Sequence, residues 1–119
     1  MRGAIVLAAL VLAQQSSNAL AHAVLDHAEP RVGATVAAAP QEVSLWFTQR
    51  LEGAFCRIEV RDSDGARVDD GAAQVDGSDP VRLRVMLKPL QPGTYKVNWR
   101  VLSVDTHTTE GHFTFRVGK

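Results

Sequence analysis

The chain has 119 residues, and its 13 Lys and Arg balance 13 Asp and Glu, so the formal net charge at pH 7 is zero. That balance gives no electrostatic reason to expect nucleic acid or an anionic lipid surface as a partner. Cys56 is the only cysteine, which excludes an intramolecular disulfide, so the hydrophobic core must hold the fold together.

Residues 1–21 have the pattern of a cleavable secretory signal peptide. Arg2 supplies a positive start, and residues 4–13 (AIVLAALVLA) form an apolar run that is too short to cross a bilayer. The triplet Ala-Leu-Ala at 19–21 fits the small-x-small cleavage rule, and cleavage after it makes His22 the first mature residue. A second triplet that ends at Ala23 would remove His22, but it lies farther from the apolar run, so we favour the first.

Beyond the signal peptide, five segments alternate apolar and polar side chains with the period of two that is typical of half-buried β-strands. Turn signals rich in Asp, Gly and Pro separate these segments, and no convincing helical period occurs. The inward-facing positions are predicted to be Val43, Leu45, Phe47; Cys56, Ile58, Val60; Val81, Leu83, Val85, Leu87; Tyr95, Val97, Trp99, Val101; and Phe113, Phe115, Val117. Residues 22–119 are therefore predicted to form a single all-β, Greek-key sandwich or barrel of about seven strands, immunoglobulin-like in arrangement.

Four residues that could suggest chemistry, Tyr95, Cys56 and the tryptophans Trp46 and Trp99, have structural interpretations. Tyr95 follows the turn formed by Pro92 and Gly93, where sandwich domains often place a tyrosine whose hydroxyl binds the backbone of the corner. Cys56 is predicted to be a small buried hydrophobic residue. The two tryptophans are predicted to serve in core or rim packing.

The four histidines are the best candidates for a functional site. His22 would be the new N-terminus, and His107 lies between the last two predicted strands, two residues after Asp105. In an extended segment, Asp105 and His107 would leave the chain on the same face. His27 is interpreted as a surface or supporting residue, and His112 as a solvated residue on the outer face of the last strand.

An N-terminal histidine can chelate a metal ion through its α-amine and its own Nδ1. Together with a ring nitrogen of His107 and a carboxylate oxygen of Asp105, His22 would complete a set of three nitrogens and one oxygen. Cu(II) prefers such tetragonal N/O coordination and leads the affinity order of the divalent first-row ions, whereas zinc would bind the same atoms more weakly. On spacing alone, Asp105 and His107 also fit a simple turn-capping pair.

Four segments resemble the CopC family of periplasmic copper-binding proteins, which includes the YobA-type proteins. They are residues 29–33 (EPRVG), 43–48 (VSLWFT) and 90–99 (LQPGTYKVNW), together with SVDTH at 103–107 followed by GHFTFRV at 111–117. The last of these is the most specific, and the resemblance extends over nearly all of residues 22–119.

The resemblance implies a periplasmic protein that sequesters or delivers copper and binds one Cu(II) per chain through His22, Asp105 and His107. It also implies a CopD-type copper transporter of the inner membrane as partner, and we expect the chain to be a monomer. Two departures stand out. The strand that begins at Val43 often ends, in relatives, in a glutamate that lies near the copper, and Gln49 takes that place here. Residues 60–79 contain no methionine, whereas some relatives have a Met-rich Cu(I) loop in this region.

Two other classes of protein remain as alternatives at this stage. A pair of histidines that includes the N-terminal one resembles the copper brace of monooxygenases that attack polysaccharides, although Asp105 would fill a position that such chemistry needs open. A β-sandwich can also be an interaction module that binds no metal. We expect a binding protein and no catalytic residues.

Overall fold

The computed structural model describes residues 23–119, which form two β-sheets packed face to face. The strands are β1 (Leu25–Glu29), β2 (Thr35–Val36), β3 (Glu42–Phe47), β4 (Arg57–Arg61), β5 (Gln74–Asp76), β6 (Asp79–Met86), β7 (Gly93–Leu102) and β8 (Thr108–Val117). The strand order is β1-β3-β6-β5 in the first sheet and β2-β8-β7-β4 in the second. Among these residues, no helix has the length and apolar character needed to span a membrane.

Neighbouring strands run antiparallel except β2, which runs parallel to β8. The chain crosses repeatedly between the sheets, so strands that are consecutive in sequence often lie in different sheets. The predicted all-β sandwich is confirmed, with eight strands in place of about seven. Three strands, β1, β2 and β5, lie outside the five alternating segments. The residues of β1 (LDHAE) do not alternate apolar and polar side chains, and β2 and β5 have only two and three residues, too few for an alternating pattern to be recognised.

The core lies between the sheets and consists of the apolar side chains that alternate along the long strands. The predicted inward positions are confirmed by the largest fully buried apolar residues, which are Phe115, Leu45, Ile58, Leu83, Val43, Val60, Val85, Val97 and Val101. Tyr95 stacks on Phe115 and donates a hydrogen bond from its hydroxyl to the Gln91 carbonyl, as predicted for a tyrosine corner. Cys56 is buried as predicted, and burial raises the pKa of its thiol.

The two tryptophans have different environments. Trp99 lies on the inner face of β7, where its ring meets that of Phe47 edge-on with centroids 5.1 Å apart. Gly111 pairs with Trp99 across the β7–β8 ladder, and the absence of a side chain there lets the indole lie directly over the β8 backbone. Trp46 lies on the outer face of the first sheet, with Arg82 5.0 Å from the ring centre. The packing roles predicted for both residues are therefore confirmed.

Candidate metal site

The connection between β7 and β8 is a tight turn that the backbone itself holds closed. The Ser103 N–H donates to the His107 carbonyl at 3.0 Å, and the Thr106 N–H donates to the Ser103 carbonyl at 2.8 Å. From the other side, the Val104 N–H donates to the Arg50 carbonyl at 2.9 Å. The turn is thus anchored both to the hairpin and to the segment that follows β3.

This turn brings Asp105 and His107 together, but not by the extended geometry that the sequence suggested. Thr106 between them has φ of 71°, a left-handed conformation that a threonine rarely adopts. Nδ1 of His107 lies 3.3 Å from Oδ1 of Asp105. The side chains of Asp105 and His107 are therefore close together, as their spacing suggested, but because the backbone reverses at Thr106 and not because the segment is extended. Both side chains remain partly open to solvent, with exposed fractions of 46% for His107 and 35% for Asp105.

The carboxylate of Asp105 is kept ionised by its neighbours. Ser103 donates a hydrogen bond from its hydroxyl to Oδ1, and this contact is the main cause that holds the pKa of Asp105 below its usual range. Desolvation is the second largest influence and opposes the shift, whereas His107 lowers the pKa of Asp105 further through hydrogen bonds and charge. A carboxylate in this state competes weakly for protons at neutral pH and is available to a cation.

Ser103 is the residue of this site to which sequence reasoning gave no role. It is fully buried, whereas the two residues that it supports reach the surface. Its position two residues before an aspartate in a turn is typical of local side-chain hydrogen bonding, and that signal could have identified it.

The first described residues lie next to this turn. Ala23 is fully buried, and its carbonyl accepts a hydrogen bond of 2.8 Å from the hydroxyl of Thr109, two positions after His107. Val24 is held to Thr48 by two hydrogen bonds, from its N–H to the hydroxyl and from the Thr48 N–H to its carbonyl, each 3.0 Å long. His22 and the predicted signal peptide at residues 1–21 lie outside the described residues.

The other histidines are not part of this cluster. His27 stacks on Trp46 with ring centroids 4.4 Å apart, and its Nδ1 lies 2.7 Å from Oδ2 of Asp26. It is exposed on the first sheet, as the surface interpretation predicted. His112 is exposed on the outer face of the second sheet, opposite Asn98.

Residues 23–119 contain no group of three or more His, Cys, Asp or Glu side chains that could hold a metal ion. Asp105 and His107 therefore offer two donors, and their separation of 3.3 Å fits two neighbouring positions around one ion, since donors about 2 Å from an ion at right angles lie about 3 Å apart. An imidazole and a carboxylate suit a divalent ion such as Cu(II) or Zn(II). Further donors are needed to complete a site.

Comparison with known proteins gives a consistent result. Residues 25–118 match the CopC domain family. Protein YobA of Escherichia coli K12 is 38% identical over 112 residues, which cover 93% of this chain and 90% of YobA. Copper resistance protein C of Escherichia coli is 32% identical over 107 residues, 84% of each chain. Copper transport protein CutJ of Bacillus subtilis is 30% identical over 103 residues, which cover 86% of this chain and 19% of CutJ.

A solved structure agrees with these relatives. The crystal structure of CopC from Methylosinus trichosporium OB3b superposes with a TM-score of 0.77 at 36% identity, and the match covers 82% of this chain and 94% of that one. Both the sequence identity and the superposition therefore relate this chain to the CopC protein of that organism.

The fold and the turn together define a small two-sheet β-sandwich with an imidazole and a carboxylate exposed beside its first described residues. The chain belongs to the CopC family, a family of copper-binding resistance and transport proteins. The resemblance found in the sequence is thereby confirmed.

Proposed function

We propose that this chain is a periplasmic protein that binds one Cu(II) ion and sequesters or delivers it, without catalysing a reaction. The proposed ligands are the α-amine and ring of His22, made available when the signal peptide is removed, together with Asp105 and His107. The observation that carries the proposal is the hydrogen bond from Thr109 to the Ala23 carbonyl, which joins the start of the domain to the Asp105–His107 turn.

Covalent geometry supports the participation of residue 22. Successive Cα atoms lie about 3.8 Å apart, and Ala23 is hydrogen-bonded to Thr109, so a ligand at position 22 would be attached within one residue of a contact beside the turn. A free amine at His22, together with the ring nitrogen of the same residue, would add two nitrogens to a pair of donors that is incomplete by itself. The resulting set of three nitrogens and one oxygen is the tetragonal N/O type that Cu(II) prefers.

Burial of Ala23 supports cleavage after Ala21. Cleavage after Ala23 would remove a residue that is fully buried and would leave the Thr109 hydroxyl without the carbonyl to which it donates. Cleavage after Ala21 retains this residue and leaves one residue, His22, ahead of it. We therefore propose that residues 1–21 are the signal peptide and that residues 22–119 form the mature domain.

The type of donor supports the proposal of Cu(II) over Cu(I). Cu(I) prefers thiolate and thioether sulfur. The only cysteine, Cys56, is buried and its thiol donates to the Glu52 carbonyl at 3.3 Å, while Met86 lies at the end of β6, in the other sheet. We propose a single Cu(II) site and no Met-rich Cu(I) site.

A membrane transporter of the CopD type is the proposed partner. CutJ, named as a copper transport protein, contains the matching region as about a fifth of its length, which suggests that a domain of this kind works beside a larger transport unit. A separate domain that holds copper through partly exposed ligands could transfer it to such a unit. We propose that the chain acts as a monomer.

Replacement of His107 by Ala tests the ligand set. In protein that begins at His22, His107→Ala is expected to weaken Cu(II) binding by more than about 100-fold, because loss of a ligand should cost more than the 10–100-fold typical of supporting residues. The matched control is His112→Ala, which removes an exposed imidazole from the outer face of β8 and should leave the affinity unchanged. Isothermal titration against a competing chelator measures both. Equal affinities of the two variants would refute the proposed site.

The affinity is expected to fall as the pH drops from 8 to 5. Cu(II) binds the amine and imidazole nitrogens only in their deprotonated forms, so protons compete with the ion and the affinity should fall by more than tenfold over this range. Asp105 adds little to this slope, because its pKa lies below the ordinary value and its proton uptake, with the accompanying loss of stability, occurs only at lower pH.

The pH profile has an internal control. Asp105→Asn should bind copper more weakly but should keep the same slope between pH 5 and 8, since the removed carboxylate does not titrate there. An affinity of the unmodified protein that stays constant over this range would contradict the proposed donors.

A further inference from the structure

Ser103 contacts the Asp105–His107 turn through both its backbone and its side chain. Its backbone N–H and carbonyl close the turn, through His107 and Thr106 respectively. Its hydroxyl makes a separate contact, with Oδ1 of Asp105. The backbone bonds would survive removal of the hydroxyl, so the side chain has a function distinct from that of the backbone.

The hydroxyl has one proton and two neighbouring acceptors. One is Oδ1 of Asp105, and the other is the His107 carbonyl at 3.2 Å, which already accepts the Ser103 N–H at 3.0 Å. A hydrogen bond to a charged carboxylate is roughly twice as strong as one to a neutral carbonyl, so the proton goes to Asp105. The hydroxyl therefore binds the same oxygen that contacts Nδ1 of His107 at 3.3 Å.

The donor of this contact is shielded from solvent. Ser103 is fully buried beneath the turn, and its backbone is also bridged to Leu51 across the sandwich end. A donor fixed in this way limits the rotation of the carboxylate, and through the shared oxygen it limits the orientation of the imidazole. Partners that orient metal ligands typically change metal affinity by about 10–100-fold when they are removed.

We propose that Ser103 is the positioning residue of the copper site. Its hydroxyl fixes the Asp105 carboxylate against His107, so that both ligands are already oriented before the ion arrives. This inference rests on the proposed function, in which Asp105 and His107 bind copper. Ser103 itself does not touch the ion.

The test compares two buried serines that make the same kind of contact. Ser103→Ala is expected to weaken Cu(II) binding about tenfold. Ser44→Ala is the matched control, because Ser44 is also buried and donates its hydroxyl to a carboxylate, Glu42, at 2.9 Å, but it lies in the first sheet. The control should leave copper affinity unchanged. Equal affinities of the two variants would overturn the proposal.

A double-mutant cycle separates positioning from a general effect on the fold. If Ser103 acts through Asp105, then Ser103→Ala should cost little affinity in an Asp105→Ala background. The same tenfold loss in both backgrounds would instead indicate a purely structural role. If Ser103→Ala fails to fold, Ser103→Thr provides a second test because it keeps the hydroxyl. This variant should bind copper with the affinity of the unmodified protein and give the same copper EPR spectrum. Loss of affinity in a folded Ser103→Thr variant would count against the proposal.

The outcome also distinguishes this inference from the proposed function. If Asp105→Ala and His107→Ala bind copper as tightly as the unmodified protein, the copper site itself is wrong. If those two variants lose affinity and Ser103→Ala does not, only the positioning role is wrong.

Discussion

A chain that keeps residues 18–21 ahead of His22 is expected to bind Cu(II) more than about 100-fold more weakly than a chain that begins at His22. The extension converts the α-amine of His22 into a peptide nitrogen, so the two-nitrogen chelate of this residue is lost. Competitive titration with a chromogenic chelator at pH 7.5 measures the difference. Ala23 and Val24 keep their contacts in both chains, so the fold should be unaffected.

The length of the extension matters. A histidine at the second or third position from a free amine forms its own copper chelate through the intervening amide nitrogens, and an extension of one or two residues would create this unintended site. Four residues place His22 fifth and avoid it. The matched control adds the same four residues (NALA) after Lys119 and should bind copper normally. If the N-terminally extended protein binds Cu(II) as tightly as this control does, the proposed role of the amine is wrong.

Gly111→Ala is expected to destabilise the fold by about 2 kcal/mol, within the range of 1–3 kcal/mol typical of overpacking. A Cβ at Gly111 would lie 2.6 Å from Cζ2 of Trp99, and that ring is confined by Phe47 on the other sheet. For a domain of about 100 residues, this loss corresponds to a fall of about 10 °C in Tm. Thermal unfolding of the metal-free protein, followed by circular dichroism, measures it.

The control for this substitution is Gly77→Ala. A Cβ at Gly77 would meet no atom within 4 Å, and its backbone is not in the left-handed region, so this change should be neutral or slightly stabilising. If Gly111→Ala and Gly77→Ala melt at the same temperature, the space between β8 and the indole of Trp99 can accommodate a methyl group, and the prediction is wrong.

The sandwich could be predicted from the sequence because each of its long strands has one solvent-exposed face and one buried face. Alternation in β3, β4, β6, β7 and β8 identified the inward side chains, and burial in the structure agrees with it. The strands β1, β2 and β5 could not be predicted in this way, because β1 does not alternate apolar and polar residues and β2 and β5 have only two and three residues.

The candidate site could be predicted only in part. The spacing of Asp105 and His107 indicated that the two side chains would meet, but their contact depends on the left-handed conformation of Thr106 and on the buried hydroxyl of Ser103. Neither residue type specifies such a turn by itself. The proximity of Ala23 to Thr109 also depends on strand order, because 86 positions separate the two residues. A contact between residues so far apart in sequence depends on the completed fold, and no local sequence pattern predicts it.

We propose that a single Cu(II) ion is bound jointly by His22 and by the β7–β8 turn. This joint binding can be tested by counting the nitrogen nuclei bound to Cu(II), from the nitrogen hyperfine couplings in the EPR spectrum of copper-loaded protein that begins at His22. We expect three nitrogens, from the amine and ring of His22 and the ring of His107, and two nitrogens in His107→Ala at saturating copper. The same number of nitrogens in both proteins would show that the turn does not share the ion and would contradict the claim.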